Sequence, residues 1–241
     1  PASEIVLVLD GPVGEELENV VKKWVQLLPI KILRLSENVG LGKALNFGLD
    51  KCNYDLVARM DTDDICHPDR FMKQCQFLTS SDVDICGTYA YDIDENESII
   101  GERTVPIHMD DIRRLIWSCP IIHPSVMYRK KSILGMGSYN PSVAHRQEDY
   151  ELWIRCVDSG LKFYNISSFL LYYRYPAGSE NKNSVSVGIN RFKLGYKAII
   201  KYDRRFMSLM GLLYPCVRAL LPGFFRAKLV AFVKQRDPRR T

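Results

Sequence analysis

Val57-Ala58-Arg59-Met60-Asp61-Thr62-Asp63-Asp64 is an apolar run that stops abruptly in three carboxylates within four residues. Carboxylates crowded this closely repel one another unless a cation neutralises them. Oxygen-only donors on a short turn suit Mg²⁺ or Mn²⁺, hard ions that keep part of their coordination for water and phosphate. At the carboxyl end of a strand in an open α/β sheet, such a turn lies where a nucleotide ligand is expected. The competing reading is a solvated acidic turn capping the helix after Pro68, since D-x-D is a short and common pattern. The rest of the chain has to decide between them.

Upstream of the turn, residues 5–9 read as a short buried strand ended by Asp10-Gly11-Pro12. A helix is predicted over 14–28, where Leu17, Val20, Val21, Trp24 and Leu27 recur at helical spacing. A strand at 30–35, a helix at 42–52 and a strand at 54–60 complete the approach. Downstream, Pro68 suits the first position of a helix running to Leu78. Strands follow at 85–93 and 99–105, separated by a polar turn at 94–98. This β-α-β-α-β order predicts an α/β fold of Rossmann-like kind, a mainly parallel sheet flanked by helices. The second half is less regular. It reads as a helix at 110–117, a strand at 125–128, and a helix at 147–159 stopped by Gly160. Strand-like aromatics occupy 162–175 and a polar loop 178–188. No internal repeat is evident.

The 241 residues permit one large domain, or one domain with an appendage. An apolar fraction of 46% and 13 tyrosines indicate a folded chain with a sizeable core. The seven cysteines, at 52, 66, 75, 86, 119, 156 and 216, are odd in number and include no C-x-x-C pair. That argues against a disulfide framework and a zinc site, and fits a reducing cytosol. No signal peptide precedes the first strand, and because the chain begins at Pro1 rather than Met, its start is expected to lie upstream.

The net charge of +5 conceals an asymmetry. Residues 191–241 hold 13 Lys/Arg and 2 Asp/Glu, whereas residues 1–190 hold 20 and 26. The segment 206–233 is rich in Leu, Phe, Met and Val, but Pro215, Arg218, Pro222, Arg226 and Lys228 interrupt it. It therefore does not read as a spanning helix. Short amphipathic helices flanked by Lys and Arg fit a surface lying on anionic lipid. The alternative is a helical cap with its basic face in water.

Four segments, in order, resemble the family 2 glycosyltransferases of GT-A fold, the inverting type common in bacterial polysaccharide assembly. Ile5 to Gly11 is similar to the second strand of that family, whose terminal aspartate, here Asp10, faces the nucleobase. Asn38-Val39-Gly40-Leu41-Gly42-Lys43-Ala44-Leu45-Asn46-Phe47-Gly48 resembles the N-x-G-x-x-x-A-x-N-x-G segment. Ala58 to Asp64 followed by Pro68-Asp69-Arg70 resembles the metal turn and its helix. Gln147-Glu148-Asp149-Tyr150-Glu151-Leu152-Trp153 is similar to the E-D-x-x-L-W motif that holds the catalytic base. The resemblance runs from about residue 3 to 175. Each motif alone is weak, but the ordered set is specific.

What the resemblance implies is chemically coherent. Sugar transfer from a nucleoside diphosphate needs the charge on the departing phosphates neutralised, which Mn²⁺ or Mg²⁺ would do as a Lewis acid. Asp63 is the expected metal ligand, and Asp61 is expected to be shared between sugar and metal. Asp64 is read as a cap on the following turn. Asp149 is the expected general base for the acceptor hydroxyl, with Glu148 orienting it. The alternative for this pair is an acidic helix start favoured by the dipole. Asp10, Asn38, Lys43 and Asp61 are the expected nucleotide contacts. The glycines at 40 and 42 lack the third glycine of a dinucleotide fingerprint, and the segment is no P-loop. A purely structural helix start is the other reading of this stretch. His123 is a minor candidate beside the acceptor. His67, His108 and His145 are read as structural. Trp117, Trp153 and Tyr150 either stack on sugar or fill the core.

Two departures from the family stand out. Members begin with a central strand ending in a P-x-Y-N-like segment, whereas this chain starts at about the second strand. Many relatives also carry a metal-completing histidine where Pro176 stands after Tyr173-Arg174-Tyr175. The resulting expectation is a GT-A domain over 1–188, N-terminally incomplete, with a basic amphipathic helical extension over 189–241. It would be an inverting, metal-dependent glycosyltransferase moving a hexose or N-acetylhexosamine from a nucleotide sugar, UDP-linked by preference. The expected acceptor is a saccharide on a lipid carrier, at the cytoplasmic face of an anionic membrane, with no nucleic-acid partner. The competing class is a non-catalytic nucleotide-sugar or saccharide-binding remnant. A metal-dependent nucleotidyl or phosphoryl transferase is disfavoured because no further paired-metal carboxylate set accompanies Asp61–Asp64.

Overall fold

The computed structural model describes residues 1–143, 147–175 and 185–220. The first strand, β1 (Ile5–Leu9), leads into helix α1 (Glu15–Val25) and strand β2 (Ile30–Arg34). β1 and β2 pair in parallel from Ile5 opposite Ile30 to Leu9 opposite Arg34, and form a two-stranded sheet of their own. Helix α2 (Leu41–Lys51) follows, and packs on β1 closely enough that a Cβ at Gly48 would meet Val8 at 2.9 Å.

A second sheet of six strands carries the rest of the body. Its strands are β3 (Leu56–Ala58), β4 (Ile65–Cys66), β5 (Ile85–Ile93), β6 (Ile99–Arg103), β7 (Met127–Arg129) and β8 (Phe163–Arg174). The order is β3-β7-β5-β8-β4, with β6 pairing the distal part of β5. Between these strands run α3 (Arg70–Thr79), α4 (Met109–Arg114), α5 (Lys130–Gly135) and α6 (Glu148–Asp158). The α/β class therefore stands. The expectation of a mainly parallel sheet does not describe the pairing: among the described residues, β5 with β8 is the one parallel pair in the six-stranded sheet. The reason is physical. A strand buried on both faces is a continuous apolar run whichever way its neighbour points. β5, buried almost throughout, is such a strand.

The edge of β1 away from β2 and the edge of β3 away from β7 have no strand partner among the described residues.

Several boundaries shift. The third strand shortens from 54–60 to three residues, after which the Arg59 amide still donates to the Val126 carbonyl at 2.9 Å. The helix expected from Pro68 starts two residues later, at Arg70. The strand expected at 125–128 becomes a 3₁₀ turn, His123–Ser125, followed by β7. β4 and α5 were not anticipated, being too short to show a period. Of the loop expected at 178–188, residues 178–184 lie outside the described residues, while 185–188 are already helical.

The chain ends its described part in a helical hairpin, α7 (Val185–Tyr202) and α8 (Phe206–Leu220). α7 runs across the boundary expected at 188/189. The two helices approach closely at glycines. A Cβ at Gly188 would meet Cys216 Sγ at 3.1 Å, and one at Gly195 would collide with Leu212 and the Tyr150 hydroxyl. Ala198, Ile199 and Leu212 of the hairpin join Trp117, Leu152, Trp153 and Phe163 in the main core. Burial of each such large side chain contributes roughly 1.5–3 kcal/mol, so the extension is welded to the body.

Candidate active site

The acidic turn is built by what surrounds it. β3 delivers the backbone to Arg59, whose side chain is buried yet lies beside Asp61, with Nη1 donating to Oδ2 at 2.5 Å. Arg70 on α3 is fully buried, and its Nη2 donates to the carbonyls of Arg59 at 2.9 Å and Val126 at 3.2 Å. Arg70 thus clamps the turn's entry. Its exit is held from β8: the Arg174 amide donates to Asp64 Oδ1 at 2.8 Å, and Arg174 Nε donates to the Asp63 carbonyl at 2.8 Å. Asp64 therefore ties the turn to β8, and neither of its oxygens bonds the turn that follows it, where the sequence reading had placed a cap.

Held this way, Asp61, Asp63 and Asp64 each offer an oxygen, all within 4.8 Å of one another. Asp63 is exposed, and the other two are half-buried. Burial, reinforced by the two neighbouring aspartates, pushes the Asp64 carboxyl up to about 6 despite the Arg174 hydrogen bond. Asp64 Oδ2 is buried with no hydrogen-bond partner among the described residues. An orphaned acid oxygen beside two further carboxylates suits a hard divalent ion. The residues present fit Mn²⁺ or Mg²⁺.

Asp10, at the end of β1, accepts the Val39 amide at 2.8 Å and the Gly40 amide at 3.1 Å. The two loops touch: a Cβ at Gly11, whose φ is 102°, would meet the Asn38 amide nitrogen at 2.9 Å. Only glycine fits such a left-handed, crowded position. Asp10 thus holds the loop before α2, while Asn38 and Lys43 are exposed. Asn46 pairs with Tyr139, donating to its carbonyl at 2.7 Å and accepting its amide at 2.9 Å. At the start of α2, a Cβ on Gly42 would lie 3.4 Å from Glu148 Cγ. The glycine-rich segment and the start of α6 are therefore neighbours.

Asp149 sits in the first turn of α6, and the Tyr150 amide donates to its Oδ1 at 2.8 Å. Burial raises its carboxyl above the ordinary carboxylate range. The Tyr150 amide, Arg191 and Arg59 pull it back, while Glu148 adds to the rise. Glu148 is buried, as is Gln147, whose Oε1 has no hydrogen-bond partner among the described residues. A carboxylate in such a setting is a better proton acceptor than one in water. Arg59 lies close enough to act on both Asp64 and Asp149. Its Nε is itself buried and unpartnered among the described residues.

Other candidates resolve differently. His123 is buried against Tyr139, its Nε2 2.8 Å from the hydroxyl, and its basicity is depressed by burial and by Arg59. Trp117, Tyr150 and Trp153 are core residues. His67 stacks on Tyr172 and His108 meets Tyr164 edge-on, while His145 and Pro176 lie outside the described residues. All seven cysteines are free. Sequence reasoning gave no role to Arg59, Arg174 or Gln147. An arginine two positions before the first aspartate was the available signal for Arg59. Nothing local pointed to Arg174, 110 residues from Asp64.

Comparisons with known proteins identify the family. The family described as Glycosyl transferase family 2 matches residues 1–135. The amylovoran biosynthesis glycosyltransferase AmsE of Erwinia amylovora is 35% identical, over 98% of this chain and 88% of that protein. An Escherichia coli protein named UDP-Gal:alpha-D-GlcNAc-diphosphoundecaprenol beta-1,3-galactosyltransferase is 32% identical, over 80% of this chain and 70% of its own length. S. aureus TarS 1–349, solved in complex with UDP-GlcNAc, superposes with a TM-score of 0.63 at 18% identity, and the chain spans 63% of that structure. This protein belongs to glycosyl transferase family 2 and has the GT-A fold.

Proposed function

We propose that the chain is an inverting glycosyltransferase that moves a hexose or N-acetylhexosamine from a UDP-sugar to a saccharide on a lipid carrier. The convergence of Asp61, Asp63 and Asp64 on one point carries the reading. The E. coli relative, by its name, takes galactose from UDP-Gal onto a diphosphoundecaprenol-linked sugar, and AmsE serves amylovoran synthesis. TarS was solved with UDP-GlcNAc. These support the donor and acceptor classes proposed here.

Asp63 and Asp61 would hold Mn²⁺ or Mg²⁺, which when bound offsets charge on the donor's diphosphate. Asp10 and Arg174 keep the two binding loops in place, and Lys43 and Asn38 lie free to meet the nucleotide. Asp149 takes the proton of the acceptor hydroxyl as its oxygen bonds to the anomeric carbon. The bond from that carbon to the UDP oxygen breaks as the new one forms, and its electron pair leaves with UDP. Attack opposite the leaving group inverts the anomeric centre. Glu148 and the Tyr150 amide orient the base. The enzyme would work peripherally at the cytoplasmic face of the membrane, where a lipid-linked acceptor is presented.

Isothermal titration of UDP with and without Mn²⁺, alongside Asp63→Ala, tests the site. Metal-dependent binding that is strongly weakened in the variant is the expected result. Absence of binding by the folded chain would instead favour a non-catalytic saccharide-binding protein.

A further inference from the structure

The outward face of α8 has the wrong chemistry for water. Phe206, Met210, Leu213, Val217 and Leu220 recur at helical spacing along it, and Phe206, Met207 and Leu220 are 72%, 74% and 73% exposed. The opposite side of the same helix is buried at Ser208 and Leu212. The helix thus presents apolar side chains both to the core and away from it. Its partner α7 shows an outward row of Ile189, Lys193, Tyr196, Lys197, Ile200 and Lys201, which mixes apolar and cationic groups.

The two helices carry little negative charge of their own, although Lys201 at the end of the α7 row pairs with the exposed Asp158 of α6 at 2.8 Å. Between residues 185 and 220 the sequence has seven Lys/Arg and a single carboxylate, Asp203. That carboxylate is 4% exposed and is bonded to Trp117 Nε1, Arg205 and the Ser208 hydroxyl. The sequence after 220 adds six Lys/Arg and one Asp. No helix among the described residues is long and apolar enough to cross a membrane.

We propose that the outward faces of α7 and α8 are a docking surface for an anionic lipid bilayer. The α8 row enters the acyl boundary, and the α7 lysines reach back to the headgroups on their aliphatic stems. A second copy of the chain fits this face poorly, since pairing would set like charges together. The surface supplies the peripheral attachment in the functional reading above and rests on that reading only for the acceptor's location. It also connects to the site: Arg191 of α7 lies over the Tyr150 ring at 4.9 Å and donates to the Ser118 carbonyl at 2.8 Å. Docking the hairpin would therefore set the orientation of Asp149 towards the bilayer.

The test is co-sedimentation of the full chain with phosphatidylethanolamine–phosphatidylglycerol vesicles and with pure phosphatidylcholine vesicles. The comparison includes Phe206→Ser/Met210→Ser and Lys193→Glu/Lys197→Glu. Both variants alter exposed side chains, and thermal unfolding checks that they fold. Binding is expected on the anionic vesicles, weaker by roughly tenfold or more on neutral ones and in each double variant. Equal binding to neutral vesicles, wild-type binding by either folded variant, or no binding at all would overturn the proposal. So would a wild-type dimer in sedimentation that Phe206→Ser/Met210→Ser dissolves. UDP titration without lipid separates the two readings. Vesicle binding without UDP binding sinks the proposed activity and leaves the surface, and the converse result sinks only the surface.

Discussion

The acidic turn at 61–64 and the acidic start of α6 are both clusters of carboxylates, and they are built in opposite ways. In the turn, three acids face one another at an opening, braced from outside by Arg70 and Arg174, with one acid oxygen left without a partner. At α6, Asp149 is half-buried beside the buried Glu148 and accepts one backbone amide. Convergence suits a cation, because mutual repulsion is relieved only by a shared positive charge. Burial of a single acid suits a proton, because desolvation makes the charged form eager to accept one. Residue type is the same in both places, and environment assigns the role.

The sharpest way to break this comparison is Asp149→Asn. It should lower the transfer rate by roughly 10²–10⁴-fold while leaving Mn²⁺-dependent UDP binding intact, as single-turnover assays and calorimetry would reveal. If UDP binding fell in step with the rate, the two clusters would not have separate roles. Asp63→Ala should do the reverse, weakening cation-dependent UDP binding by roughly 10–100-fold or more. Calorimetry at fixed Mn²⁺ reads it directly.

Acidity offers a third cut. The Asp64 carboxyl is raised from 3.8 to about 6, and the Asp149 carboxyl is also raised. A raised acid pKa means that the folded state binds the proton more tightly than the unfolded chain. Their contribution to stability is therefore full below the ordinary carboxylate pKa and lost as pH rises through the raised values. The cation-free protein should become less stable between roughly pH 4 and 6, and Mn²⁺ should flatten that decline. Thermal unfolding across pH with and without the ion measures this. The transfer rate should fall on acidification at a pH above the ordinary carboxylate range, and Asp149→Asn should remove that limb.

A contrasting acid lies in the hairpin. Asp203, held at about 2 by hydrogen bonds from Arg205, Ser208 and Trp117 that outweigh its burial, is a structural anion. Asp203→Ala should cost about 2 kcal/mol of stability without altering UDP affinity, as denaturant unfolding and calorimetry would report. Its contribution should fade as pH falls from 3.8 towards about 2. The smallest effect is expected at Lys43, which is exposed. Lys43→Ala should change stability by less than about 0.5 kcal/mol yet weaken UDP binding by a few-fold. An unchanged affinity would move Lys43 out of the nucleotide site.

Much of this architecture was legible in the sequence. The strand at 85–93 was predicted at its observed bounds, and Gly160 ends α6 with a φ of 82°, as a helix-stopping glycine should. The acids at 61–64 and 148–149 stood out because chemistry concentrated in adjacent residues is a local signal. Arg174 and the Asn46–Tyr139 clamp were not legible, since each acts through a partner far along the chain. The pairing direction of β7 and β8 was equally hidden.

The sequence by itself determined the order of the longer elements, the metal-suited turn, the acidic helix start and the basic, apolar C-terminal segment. Each of these depends on residue types at short spacing, where periodicity and charge can be read directly. Only the tertiary structure decided that Gly42 sets α2 against Glu148, that Arg59 acts on both acidic sites, and that the hairpin packs its glycines inward and its apolar row outward. Burial and distance between remote residues arise when the chain closes on itself, and those two quantities turn a carboxylate into a ligand, a base or a strut.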